Sequence, residues 1–205
     1  MRYNLVKLTG GYFMAVNDTR TKILNAFSRL VVEYGYTSTT TLAIAKEAGV
    51  NESTIFRNFH DKEGLLDALV SFYLDDIANV RQTFVPSDSI EEDLIRLAKS
   101  YNDFVKEHRA IMSIGLSEQA RFPEINVALQ QLPNRFKEIL DSYFSKMIQL
   151  RKINPELDIE TIILDFVWLN FGHFWTQARF GSSSIQVSDE DFYQKNIRSF
   201  ARALL

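Results

Sequence analysis

At 205 residues, with 46% hydrophobic and 24% charged side chains, the chain has an ordinary globular composition and room for a small domain joined to a larger one. It has no cysteine, which excludes a disulfide framework or a thiolate metal site and points to the reducing cytoplasm. A net charge of −3 gives no general attraction to phosphate, so any case for nucleic-acid binding rests on local geometry.

Residues 1–16, MRYNLVKLTGGYFMAV, carry Arg2 and Lys7, but their apolar run is broken at Thr9, Gly10 and Gly11, which makes a poor signal peptide. They read either as a disordered basic arm or as a stretch upstream of a start at Met14. Beyond them, four Pro and six Gly punctuate a sequence whose apolar residues recur at intervals of three and four. That pattern predicts an all-α fold without strands. No apolar run approaches the roughly eighteen residues that a membrane-spanning helix needs.

Helices are expected at about 19–34, ended by Gly35, at 40–48, ended by Gly49, at 52–58 and at 62–84. After Pro86, Ser89 and Glu92 have the spacing of a capping box and open a helix at 90–106. Further helices follow at 109–118, 123–151, 158–180 and 189–204. Pro123 suits a first turn, Pro133 should kink or divide its helix, and Asp158 and Ser188 serve as N-caps. A loop at Gly181–Ser184 separates the last two. The expected domains are the arm (1–16), a DNA-binding domain (17–66), a connecting helix (67–84) and a larger dimerisation and sensing domain (85–205).

The informative stretch runs from Thr39 to Leu66. A helix-turn-helix needs a small residue where two helices cross, a turn residue able to take positive φ, and apolar residues that lock the second helix onto the first. Ala45, Gly49 and Val50 meet the first demands, and Ile44, Ala48, Ile55 and Phe59 supply the lock. The exposed face of the short helix is then Asn51, Glu52, Ser53, Thr54, Arg57 and Asn58, small hydrogen-bonding groups suited to a major groove. Charge adds little. From Thr19 to Leu66, six Lys and Arg face five Asp and Glu, a net of +1.

Gly35-Tyr36, Thr40, Ile44-Ala45, Ala48-Gly49-Val50, Thr54-Ile55-Phe56, Phe59 and Lys62-Glu63 stand in the order and spacing of the TetR family of tetracycline-repressor-like regulators, which the stretch from 19 to 70 resembles. The remainder resembles that family only in length, helicity and apolar character. The resemblance implies an N-terminal three-helix DNA-binding domain joined by a connecting helix to a larger helical domain. It places Thr40 and Lys62 at helix starts that hold phosphates, and Asn51, Ser53, Thr54 and Arg57 in or beside the groove, Arg57 being suited to a bidentate contact with guanine. Phe56 departs from the family's usual Tyr and would pack on a thymine methyl or sugar edge. Asn58 and His60 stand where other polar or aromatic residues are common. Glu52 would accept from a cytosine amino group or simply favour its helix N-terminus.

Residues 158–180 are apolar on nearly every face, with Leu164, Trp168, Phe171 and Trp175 on one stripe and Ile163, Phe166, Asn170, His173 and Gln177 on the other. Such a helix is covered on both sides. The family's dimer interface is formed by the last two long helices, to which Phe192, Ile197, Phe200 and Leu204 would contribute. Candidate lining for a small-molecule pocket is Tyr101, Phe104, Met112, Phe136, Leu140, Tyr143 and Phe144, with Asn170, His173 and Gln177 as polar points.

His60, His108 and His173 are far apart in sequence, and neither a phosphate loop nor a nucleophile elbow occurs. No metal, cofactor or enzymatic activity is expected. The predicted function is that of a cytoplasmic, homodimeric repressor released from double-stranded operator DNA by a small, largely apolar ligand. The alternative is a helix-turn-helix protein whose C-terminal domain binds a protein partner.

Overall fold

The computed structural model describes residues 6–8, 11–13, 18–80, 84–118, 120–179 and 187–205. The loop expected at Gly181–Ser184 lies outside them. Helices account for nearly all the described structure: α1 (Thr19–Tyr34), α2 (Thr41–Ala48), α3 (Glu52–Phe59), α4 (Lys62–Val80), α5 (Ile90–Glu107), α6 (Arg109–Ser117), α7 (Pro123–Gln149), α8 (Ile159–Arg179) and α9 (Asp189–Asp191). The last runs through a π-helical segment, Phe192–Ile197, into α10 (Arg198–Arg202). A small hairpin departs from the strand-free expectation: β1 (Val6–Leu8) pairs antiparallel with β2 (Gly11–Phe13), Leu8 opposite Gly11. Three-residue strands are too short for alternation to register in sequence. No helix among the described residues is long and apolar enough to cross a membrane.

Two compact units emerge, residues 1–78 with 106–131, and residues 79–105 with 132–205. The sequence boundary near residue 85 therefore does not follow the packing, because the stretch from 106 to 131 groups with the N-terminal helices.

In the first unit, α1 packs against α2 and α6. Its core takes Ile23, Phe27 and Val31 from α1, Ile44 and Ala45 from α2, Ile55 and Phe59 from α3, Leu65, Leu69 and Tyr73 from α4, and Ile111 and Ile114 from α6. Pro133 was expected to kink or divide α7, and the helix is not divided. Proline lacks the N–H that would bond the carbonyl four residues back, that of Leu129. The buried Tyr73 hydroxyl donates to that carbonyl at 3.3 Å and so satisfies it.

The second unit has its own apolar core, including Leu94, Leu140, Phe144, Phe166, Phe192 and Ile197. Asp93 is buried in it. Burial alone would raise its carboxyl pKa, but bonds from the Ser87 N–H (2.9 Å) and Oγ (2.7 Å), from Arg96 and from the Tyr143 hydroxyl (3.1 Å) hold it below the usual range. The expected capping box forms by half. Ser89 Oγ accepts from the Glu92 N–H at 3.3 Å, while the Glu92 carboxylate turns to Arg198 at 2.9 Å. Ser188 caps the last helix as expected. Its π-helical segment was not foreseen, because one wider turn leaves the apolar spacing almost unchanged.

Candidate nucleic-acid interface

The α2–α3 pair is built by its ends. Thr40 caps α2, its Oγ1 accepting from the Ala43 N–H at 3.1 Å, and Gly49 closes it in the left-handed region (φ 68°, ψ 37°), donating back to Ala45 and Lys46. That geometry is cheap only for glycine. At the start of α3, Thr41 Oγ1 donates to Glu52 Oε1 at 2.6 Å, tying the two helix N-termini together. At the end of α3, Arg20 donates to the Asn58 carbonyl at 2.7 Å and lies 4.3 Å over the Phe59 ring. A cation there also suits the negative end of the helix dipole.

These contacts sort the ten candidate DNA-binding residues. Asn51, Ser53, Phe56, Arg57 and His60 are exposed together along α3, and Thr40 is exposed at the tip of α2. Asn51 stands at the N-cap position without using its side chain as a cap. Thr54 is half-buried, and Asn58 Nδ2 turns back to the Thr54 carbonyl at 2.7 Å. Glu52 is engaged by Thr41. His60 ends α3 with φ 68° and ψ −50°, a left-handed geometry that costs a non-glycine residue energy.

Lys62 is placed differently from its expected outward role. Its ammonium donates to the carbonyls of Tyr36 (2.8 Å) and Thr39 (2.9 Å) and lies 4.2 Å over the Tyr36 ring. Burial, with Arg121 nearby, lowers its pKa. It therefore fastens the α1–α2 loop, whose last residue before α2 is the capping Thr40.

Arg20 and Leu42 were not singled out from sequence, and Tyr36 was named there only as part of the family pattern. Tyr36 is buried edge-on to Phe27 and Phe122, with its hydroxyl pKa pushed up to about 12 by burial. Leu42 is 66% exposed on α2. An exposed arginine and leucine carry no sequence signal, whereas Tyr36 follows the glycine that ends α1.

The ten pocket candidates are less coherent. Met112 belongs to the first unit, and the other nine to the second. Tyr101 packs edge-on to Phe136 at 4.8 Å, and Phe104 is buried in α5. Leu140, Tyr143 and Phe144 are parts of the apolar core, and Gln177 donates to the Val187 carbonyl. A surface hollow lined by Asp88, Ser89, Ile90, Glu91, Lys152 and Leu205 contains none of the ten. Asn170 and His173 are buried on one face of α8, and Asn170 Oδ1 and His173 Nδ1 have no partner among the described residues. His173 Nε2 meets Asp189 at 2.9 Å, and its ring stacks on Phe192 at 4.0 Å.

On α8, Leu164, Trp168 (68% exposed) and Phe171 (47% exposed) are left uncovered by their own chain, while Trp175 of the same stripe is half-buried. The final helix corrects the expectation. Phe192, Ile197 and Leu204 are buried in their own chain's core and Phe200 packs against it, leaving Lys195, Asn196, Ser199 and Arg202 outward.

Residues 23–69 match the family described as bacterial regulatory proteins, tetR family. The chain is 27% identical over 189 residues to the uncharacterized HTH-type transcriptional regulator YvkB of Bacillus subtilis, covering 92% of this chain and 98% of that one. It is 25% identical over 162 residues to YhgD, another such regulator of B. subtilis, covering 75% and 83%. Its fold is similar to that of Salmonella enterica GusR (TM-score 0.63, 18% identity, covering 91% and 95%). It is likewise similar to the ketosteroid transcriptional regulator KstR2 of Mycobacterium tuberculosis (TM-score 0.64, 19% identity, covering 92% and 96%).

Proposed function

We propose, from the premise that this chain belongs to the TetR family of transcriptional regulators, that it is a cytoplasmic repressor. In this reading it binds a pseudo-palindromic operator as a homodimer and is released by a small, largely apolar ligand.

The observation that carries the DNA half is the row of exposed side chains on α3, held by the Thr41–Glu52 and Arg20–Asn58 bonds at its two ends. Fixed ends give a short helix the rigidity that base reading requires, and two such helices related by a two-fold axis read two half-sites. The exposed Trp168 and Phe171 support self-association. Ligand sensing is supported by the second unit's interior, where Asn102 Oδ1, Asn170 Oδ1 and His173 Nδ1 are buried without a partner among the described residues. Buried polar atoms of this kind call for water or a ligand.

Selection from random duplexes, followed by titration of Arg57→Ala, tests the reading. The wild type should select a palindrome with half-sites about one helical turn apart, and the variant should lose roughly 1–3 kcal/mol and relax one base pair per half-site. Unaltered base preference in Arg57→Ala overturns the base-reading role. For the effector, calorimetry with and without operator should give reciprocal weakening, a tenfold effect corresponding to about 1.4 kcal/mol of coupling.

A further inference from the structure

Asp76 on α4 and His108 between α5 and α6 stand 32 positions apart in sequence, yet Asp76 Oδ2 lies 3.2 Å from His108 Nε2. Glu107, the last residue of α5, adds a carboxylate oxygen, and the three atoms lie within 4.8 Å of one another. His108 is buried, with Phe72 and Tyr73 against its ring at centroid distances of 5.1 and 5.2 Å, so its imidazole is held in a fixed direction. Asp76 and Glu107 are each half-buried, less enclosed than His108. All three residues belong to the first compact unit.

We propose that Asp76, Glu107 and His108 form a binding site for a divalent transition-metal cation, with Zn²⁺ the preferred ion. Two ligand atoms each about 2.0–2.2 Å from one ion are themselves about 3–3.5 Å apart, which the Asp76–His108 spacing already matches. Two carboxylates and a neutral imidazole balance the ion's two charges. An imidazole with oxygen donors and no thiolate suits Zn²⁺ over Mg²⁺ or Ca²⁺, with water completing the shell. The ion would fasten α4, the helix that begins at Lys62 just after α3, to the α5–α6 corner. A metal in that position makes the geometry of the DNA-reading end sensitive to the ion's supply.

The test titrates Zn²⁺ into the tag-free full chain by calorimetry and follows Co²⁺ substitution by visible absorption. The wild type should take up one ion per chain. Asp76→Asn and His108→Gln should each weaken uptake at least about tenfold, near 1.4 kcal/mol, whereas His60→Gln and His173→Gln should not. Circular dichroism checks folding, and Glu107→Gln, at a ligand less buried than His108, serves as the milder variant should His108→Gln unfold. Failure of the wild type to bind Zn²⁺ overturns the proposal. So does unchanged binding in both Asp76→Asn and Glu107→Gln, which would place the ion on other surface groups.

Discussion

Helices α3 and α8 differ in what they leave to water. Helix α3 buries Ile55 and Phe59 and exposes polar side chains with a single ring, Phe56. Helix α8 buries Phe166, Asn170 and His173 and exposes Leu164, Trp168 and Phe171. One helix puts its polar groups outside and its apolar ones inside; the other carries polar groups in its buried face and aromatic rings on its surface. An exposed polar face of small hydrogen-bonding groups suits a hydrated, charged partner, and an exposed aromatic stripe suits an apolar one. The same chain thus carries two surfaces that call for opposite chemistry.

The sharpest way to break the second unit without touching either surface is Asp93→Asn. The amide presents an NH₂ to donors that a carboxylate had satisfied, and it leaves Arg96 uncompensated. Because Arg96 is half-exposed, the cost falls on the donors of Ser87 and Tyr143 that lose a carboxylate, about 1–3 kcal/mol each, measurable by urea unfolding. The wild type should show the same dependence on pH. Because the folded carboxyl has the lower pKa, its contribution is present above the unfolded value of about 3.9 and is lost as pH falls through the folded value. An Asp93→Asn chain that shows the same acid profile as the wild type would remove Asp93 from that account.

Trp168→Glu tests the aromatic stripe. Because Trp168 is exposed in the single chain, the substitution should leave helicity intact while costing about 2–4 kcal/mol of association, the loss typical of a central interface aromatic. Sedimentation would then show monomers at concentrations where the wild type pairs. Phe200→Glu is the contrasting variant, since Phe200 packs against its own chain's core and should lower stability directly.

Lys62→Met sharpens the account of the DNA-reading end. The methionine keeps apolar contact with the Tyr36 ring but leaves the Tyr36 and Thr39 carbonyls without the ammonium, at a cost of about 1.5–3 kcal/mol in stability. If the lysine acts by fastening the loop, operator binding weakens while the slope of log affinity against log salt hardly changes. A direct phosphate contact would instead lower that slope by about 0.9.

The helix-turn-helix was legible because its signals are local: Thr40 and Gly49 sit at helix ends, and Ile44, Ala45, Ile55 and Phe59 repeat at helical spacing. The two stripes of α8 were legible for the same reason. What escaped depends on partners distant in sequence. Glu92 has the spacing of a capping box but is taken by Arg198, Pro133 is tolerated because Tyr73 reaches the Leu129 carbonyl, and His108 meets Asp76 from another helix. Lys62 fills the position for a phosphate contact, yet its ammonium finds backbone carbonyls within its own chain. Phe192, Ile197 and Leu204 read as interface residues because sequence periodicity marks a face as apolar without saying which chain covers it.

The smallest expected effect separates stability from recognition at one residue. His60 closes a three-residue turn in which the Asp61 N–H donates to the Phe59 carbonyl at 2.9 Å, and its left-handed backbone is of a kind that costs about 1–3 kcal/mol outside glycine. Asp61 Oδ1 accepts from the Gly64 N–H at 2.8 Å, so the turn stays anchored to α4 whatever side chain stands at 60. In His60→Gly, relief of strain outweighs the added freedom of the unfolded chain, giving a net gain of about 1 kcal/mol. The exposed imidazole is lost from the end of the α3 row at the same time, so operator affinity should fall by less than about tenfold, or 1.4 kcal/mol, while the melting temperature rises. Opposite signs in the two measurements assign the strain to recognition. A fall in both would mean that the imidazole itself holds α3 in place.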